Sequence, residues 1–114
     1  MTRPLHLLSI AECAREIASG AVSPVELTEA CLSVIDTHNS EVNAFLDVTA
    51  DLARDQARAA EEEIRRIGPR SPMHGVPFAL KDIYDTRGIA TTGHSALYRQ
   101  RIPAKDSACT ERLY

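Results

Sequence analysis

Apolar residues recur at helical period from about residue 10 to residue 67, and the period is lost after that. Ile10, Cys13, Ala14 and Ile17 share one helical face. Ser9 stands before them and Glu12 three residues on. At that spacing a hydroxyl and a carboxylate cap each other's backbone N–H groups. Gly20 supplies the stop, because glycine enters the left-handed C-terminal conformation without steric cost. The pattern predicts a helix over Ile10–Ser19. A stronger start follows in "SPVE": Ser23 at the N-cap, Pro24 at the first helical position and Glu26 at the third. The stripe Leu27, Ala30, Cys31, Val34 and Ile35 predicts a helix from Pro24 to near His38, ending before "NSE". A third helix opens at Thr49 or Asp51 and runs to Ile67, on the stripe Ala53, Ala57, Ala60, Ile64 and Ile67. Its small residues permit close approach to a neighbour. Gly68 and Pro69 end it.

Two segments read as strands. "NAFLDV" (Asn43–Val48) has apolar and mixed faces, and Val76–Leu80 is a short apolar run. "DIYDTRGIATTG" is irregular with at most a short strand, and Asp106 caps a last helix in "SACTERLY". The order helix, helix, strand, helix, strand, loop, helix start is α/β. Two strands do not make an independently stable sheet. The sheet is therefore expected to be incomplete in this chain, whose 114 residues read as the opening of a larger domain.

Charge changes the picture little. A net charge of −3 argues against a nucleic-acid surface built on general positive charge. The pairs Arg58–Glu62, Glu61–Arg65 and Glu62–Arg66 mark a solvated helix face, each worth roughly 0.2–0.5 kcal/mol. No run of about 18 apolar residues is present, and "MTRPLHLLSI" lacks a signal-peptide core. No membrane association is expected, and the default compartment is the cytoplasm. Cys13, Cys31 and Cys109 are odd in number and far apart, without a CxxC or Cys/His cluster. Cys13 and Cys31 read as buried thiols acting as small hydrophobes rather than as a disulfide.

The chemistry concentrates in "HGVPFALKDIYDTRGIATTGHSAL" (His74–Leu97), where Lys81 follows an apolar run with no turn residue between. Alternation places Val76, Phe78 and Leu80 on one side and Pro77, Ala79 and Lys81 on the other. A lysine in a desolvated place can lose its proton near neutrality and serve as a base. A hydroxyl nucleophile needs such a base. On spacing alone the plainer reading is a strand-end lysine snorkelling to water beside Asp82 and paired with it.

The same segment resembles the lysine segment of the amidase-signature family, approximately HG-[IV]-P-x-x-[IVL]-K-D-x-x-[DN], a spacer, then TT-x-G-S. Gly75, Pro77, Lys81, Asp82, Asp85, Thr91, Thr92 and Ser95 fall in register. "SPVELTEACLSVID" resembles the family's second helix, "NAFLDV" its first strand, and "PAKDSACTERL" the start of its next helix. The resemblance implies amide hydrolysis by a lysine, a serine in a cis peptide and a serine nucleophile, with Lys81 as the catalytic base. It implies a small-molecule amide substrate, no cofactor, no metal and no direct nucleic-acid contact. Partners would be further copies of the chain or the other subunits of an amidotransferase. The family usually has glycine directly before the serine at Ser95, whereas here Gly93 and then His94 precede it. His94 is given no catalytic role.

The family's serine/glycine-rich segment is not found in these residues. None of Ser9, Ser19, Ser23, Ser33, Ser40, Ser71, Ser95 or Ser107 lies in a suitable glycine-rich turn. The chain thus reads as the N-terminal part, residues 1–114, of a single amidase-signature domain with one catalytic residue of three. Alone it is expected to be inactive and poorly folded. Two other readings stay open. "GIATTGHS" (Gly88–Ser95) has P-loop spacing with His94 where the lysine belongs. The chain is otherwise a non-catalytic interaction fragment or remnant, or one half of a split enzyme.

Overall fold

The computed structural model describes residues 3–114. They form two compact units, one ending at Pro77 and the other spanning Phe78–Tyr114.

The first unit is helical. After a single 3-10 turn at Leu5–Leu7 come α1 (Ile10–Ser19), α2 (Pro24–Val42) and α3 (Ala50–Ile67). Both capping boxes form. Glu12 N–H donates to Ser9 Oγ at 3.3 Å while Ser9 N–H donates to the Glu12 carboxylate at 2.6 Å. Ser23 and Glu26 repeat this at 3.1 and 2.9 Å, with Pro24 in the first turn. Gly20 closes α1 at φ +75°. The core is Cys13, Ile17 and Leu27, with Leu5, Leu8, Val22, Ile64 and Val76 packed on it. α2 lies against α3, where Ala57 is buried as its small size allows. Glu29 of α2 and Arg54 of α3 pair across the helices at 2.6 Å. Gly75 has φ +85°, and a Cβ there would meet Pro24 Cγ at 2.7 Å, so only glycine fits this approach to the start of α2.

Several sequence expectations are corrected. α2 runs to Val42 rather than to His38. Asn43 then takes φ +50°, a conformation asparagine tolerates, and ends the helix in place of glycine. The Asn39 side-chain amide accepts from Phe45 N–H at 2.8 Å and donates to Phe45 C=O at 3.0 Å. The backbone groups of Phe45 are thereby satisfied by a side chain, and Asn43–Val48 is not a strand. Val76–Leu80 is neither helix nor strand. A strand is a paired object, and among the described residues neither run has a ladder partner. The α/β expectation is thus met only by the helices here, and an isolated bridge joins Thr86 and Ile89. On α3, Glu61–Arg65 forms at 3.9 Å, whereas Arg58 turns to Asp55 instead of Glu62.

The second unit is mostly loop, with a 3-10 turn at Ala96–Tyr98 and the short α4 (Ala108–Leu113). Ser107, not Asp106, caps α4, accepting from Thr110 N–H at 3.2 Å. The Asp106 carboxylate accepts from Arg87 N–H at 2.6 Å instead. Among the described residues no helix is long and apolar enough to cross a membrane. Cys13 is buried, Cys31 half-buried and Cys109 exposed, and all three are unpaired thiols. Burial pushes the Cys13 and Cys31 thiols up from their ordinary range.

Candidate active site around Lys81

Lys81 opens a turn in the second unit. Its C=O accepts from Ile83 N–H at 2.7 Å and from Tyr84 N–H at 3.1 Å. Its side chain is exposed and, among the described residues, forms no ion pair. Exposure matches the snorkelling reading, but the pairing with Asp82 is not made.

Asp82 faces the hydroxyl-rich loop instead. Its carboxylate accepts from Thr92 N–H at 2.9 Å, from the Thr92 hydroxyl, and from His94 N–H at 3.2 Å. Its C=O accepts from Gly93 N–H at 2.7 Å. The Thr92 hydroxyl, followed by the Thr92 amide and then the His94 amide, holds the Asp82 carboxyl below the usual carboxylate range. The P-loop reading fails on the same bonds. A phosphate cradle needs free backbone N–H groups, and those of Thr92, Gly93 and His94 are already directed at Asp82. Both Gly93 and His94 take φ +56°. His94, which stands where the family pattern has glycine, therefore sits in left-handed backbone, the region that favours glycine.

Asp85, three residues on, fixes the far side of the unit. Its two carboxylate oxygens each take a guanidinium N–H of Arg101 at 2.7 Å, a bidentate pair that depresses its carboxyl. Arg101 also donates to Thr91 C=O at 3.2 Å. The Asp85 C=O accepts from Ser107 N–H at 2.8 Å and from the Thr110 hydroxyl at 2.9 Å, which ties α4 to the Lys81 segment. Sequence reasoning does not reach these roles for Asp82, Asp85 and Arg101. Their signal is the co-occurrence of two aspartates with a threonine pair and an arginine, at separations no local pattern links.

Six serines of the chain are engaged locally. Ser9, Ser23 and Ser107 cap helices, and Ser95 accepts from Leu97 N–H at 3.3 Å. Ser19 donates to Glu16 C=O at 3.0 Å, and Ser71 accepts from Met73 N–H at 3.3 Å.

Comparison with known proteins gives one consistent answer. The model of the Amidase family matches residues 26–114. The A subunit of the glutamyl-tRNA(Gln) amidotransferase of Streptomyces coelicolor is 44% identical over 106 residues, covering 93% of this chain and 21% of that protein. Its counterpart in Chloroflexus aggregans is 38% identical over 109 residues, covering 96% and 22%. The chain therefore spans about a fifth of the length of the curated relatives it matches. Among solved structures, a fatty acid amide hydrolase superposes with a TM-score of 0.89 at 25% identity, covering 99% of this chain and 21% of that one. A chain from a vestigial protein complex connected with the origins of an s-triazine catabolic enzyme does so with a TM-score of 0.87 at 29% identity, covering 93% and 23%.

Proposed function

The chain belongs to the amidase family, and from that premise we propose that it supplies the general base of an amide-hydrolysing enzyme, with Lys81 as that base. The observation that carries the reading is the register of His74–Ser95, in which Lys81 is followed by an aspartate that organises the TTGHS loop. The neutral ε-amine of Lys81 takes a proton from a bridging serine, which in turn deprotonates a serine nucleophile. The nucleophile adds to the amide carbonyl and backbone N–H groups hold the oxyanion. The amine or ammonia leaves, and water releases the acid.

A neutral lysine needs cover from water, and Lys81 is exposed here. The proposal places that cover, with both serines, outside these residues, and takes residues 1–114 as the N-terminal part of one amidase-signature domain. The helices and the Lys81 segment would then border a sheet to which Asn43–Val48 and Val76–Leu80 contribute. The relatives that are A subunits of an amidotransferase favour glutamine as nitrogen donor within a multi-subunit assembly. Free-standing hydrolysis of an aliphatic, aryl or ureido amide by self-associated copies is the alternative. The reading places this work in the cytoplasm, in keeping with three unpaired cysteines.

The test is substitution at Lys81 in an active enzyme that carries this chain. Lys81→Ala lowers kcat by about 10²–10⁴-fold with the fold retained. Lys81→Arg does not rescue, because a guanidinium stays protonated at working pH. An active arginine variant would return Lys81 to a surface role. The exposure of Leu97 (90%), Ile102 (62%) and Leu46 (60%) favours one further reading, a non-catalytic fragment whose apolar sides dock on a partner. Self-association without hydrolysis would support it.

A further inference from the structure

We propose that Asp82 is a positioning residue for the amidase reaction: it anchors the Lys81 turn to the Thr91–Ser95 loop and so aims the Lys81 amine. The inference rests on the base role proposed for Lys81.

The Lys81 side chain has no ion-pair partner among the described residues, so the backbone at Lys81 is what sets where the side chain departs. A peptide unit is planar, and only φ and ψ remain free at each residue. The Lys81 carbonyl is held by two N–H donors, those of Ile83 and Tyr84. The next residue is held by four bonds: three at the Asp82 carboxylate, from Thr92 N–H, the Thr92 hydroxyl and His94 N–H, and one at its carbonyl from Gly93 N–H. Fixing both ends of the Lys81–Asp82 peptide fixes the plane from which the Lys81 side chain departs, which leaves rotation about ψ of Lys81 and the side-chain torsions as its remaining freedom. The carboxylate is suited to this because three donors converge on it, and charge-assisted bonds are stronger than neutral ones. An asparagine would present two N–H donors of its own where a donor already points. The loop also returns at Thr91, whose N–H donates to Arg101 C=O at 3.1 Å while Arg101 holds Asp85. The anchored loop is therefore itself fixed, and it can serve as a reference for the turn.

Misplacing a catalytic group by about 1 Å can lower the rate by about 10²-fold, and it does so in kcat more than in KM. In an active enzyme that carries this chain, Asp82→Asn is expected to lower kcat by about 10-fold to 10²-fold with KM changed less than about twofold and thermal unfolding still cooperative. Thr92→Val, which removes the hydroxyl's bond to Asp82 and the one it accepts from His94 N–H, should lower kcat in the same sense by a smaller factor, and Thr92→Ser should restore it. Loss of folding in Asp82→Asn transfers the decision to the Thr92 pair, which leaves the carboxylate in place. The proposal is overturned if Thr92→Val and Thr92→Ser have equal, wild-type kcat, or if Asp82→Asn folds and turns over normally. Lys81→Ala is run beside them. An active Lys81→Ala enzyme removes the base reading itself, whereas an inactive Lys81→Ala with fully active Asp82 and Thr92 variants removes only the role of Asp82.

Discussion

The two units are built on different physics. Up to Pro77 the buried side chains are mainly apolar: Cys13, Ile17, Pro24, Leu27 and Ala57, with Thr28 the polar exception. From Phe78 onward they are Thr86, Thr91, Pro103 and Thr110, and no aliphatic or aromatic residue described there is buried. The first unit is held by area removed from water, which is non-directional and tolerant of detail. The second is held by aspartates aimed at particular donors: Asp82 at Thr92 and His94, Asp85 at Arg101, Asp106 at Arg87. Directional bonds give less stability each but fix geometry closely. Chemistry that depends on placement belongs with the second kind of construction. The unit that carries Lys81 is organised for placement, and the helical unit for bulk stability.

The largest effect is expected in the first unit. Leu27 is 2% exposed at the centre of its core. Leu27→Ala removes the side chain that α2 inserts there and should cost about 2–5 kcal/mol. Hydrogen exchange at the amides of α1 and α2, set beside that of Thr92, Gly93 and Ser107, reads the two units separately. Faster exchange confined to the helices would show that each unit has its own support. Equal acceleration in both would erase the distinction, because the second unit would then depend on the same apolar core.

Acid reverses the order of damage. The Asp82 and Asp85 carboxyls lie below their unfolded values, held down first by the Thr92 hydroxyl and by the Arg101 guanidinium respectively. A depressed carboxylate contributes stability that is full above its unfolded pKa, about 3.9, and is lost as pH falls through the lower folded value. The second unit should therefore hold at pH 5 and open below about pH 4. Glu12 and Glu29 are depressed too, by the Ser9 amide and by Arg54. They serve a cap and a surface pair, so acid frays the start of α1 and weakens the α2–α3 pair while Leu27 stays covered. An amide-resolved acid titration in which both units open together would contradict this. Asp85→Asn should reproduce the loosening of α4 at neutral pH, seen as faster exchange at Ser107.

Legibility in the sequence follows the same division. α1 is readable to the residue, because Ser9, Glu12 and Gly20 are local signals with one physical meaning each. α2 is readable at its start but not at its end, because Asn39 and Asn43 stop it through side-chain and left-handed geometry that apolar period does not encode. Composition suggests strands at Asn43–Val48 and Val76–Leu80, yet pairing is a property of two segments, and the described residues supply no second one. Lys81 stands out because it closes an apolar run and falls in a family register. Its surroundings do not, because Asp82 meets Thr92 ten residues away and Asp85 meets Arg101 sixteen residues away. No periodicity links such pairs.

The smallest expected effect lies in the loop that Asp82 holds. His94 has φ +56°, where a Cβ is crowded against backbone and a non-glycine residue loses roughly 1–2 kcal/mol. It stays there because its N–H donates to the Asp82 carboxylate and to Thr92 Oγ1, both at 3.2 Å. His94→Gly removes the crowding and keeps that N–H. It also gives the unfolded chain more freedom, which offsets about 0.4–1 kcal/mol, and it removes the imidazole that helps hold Asp82 charged. The net gain should be below about 1 kcal/mol, and His94→Asn should fall between the two, since asparagine tolerates this region. Slower exchange at Thr92 and at position 94 in the glycine variant, with the helices unchanged, would mean that strain in the second unit is local and separable from the packing of the first. A loss of protection at Thr92 would mean instead that the imidazole, not the backbone, holds the Asp82 clasp together.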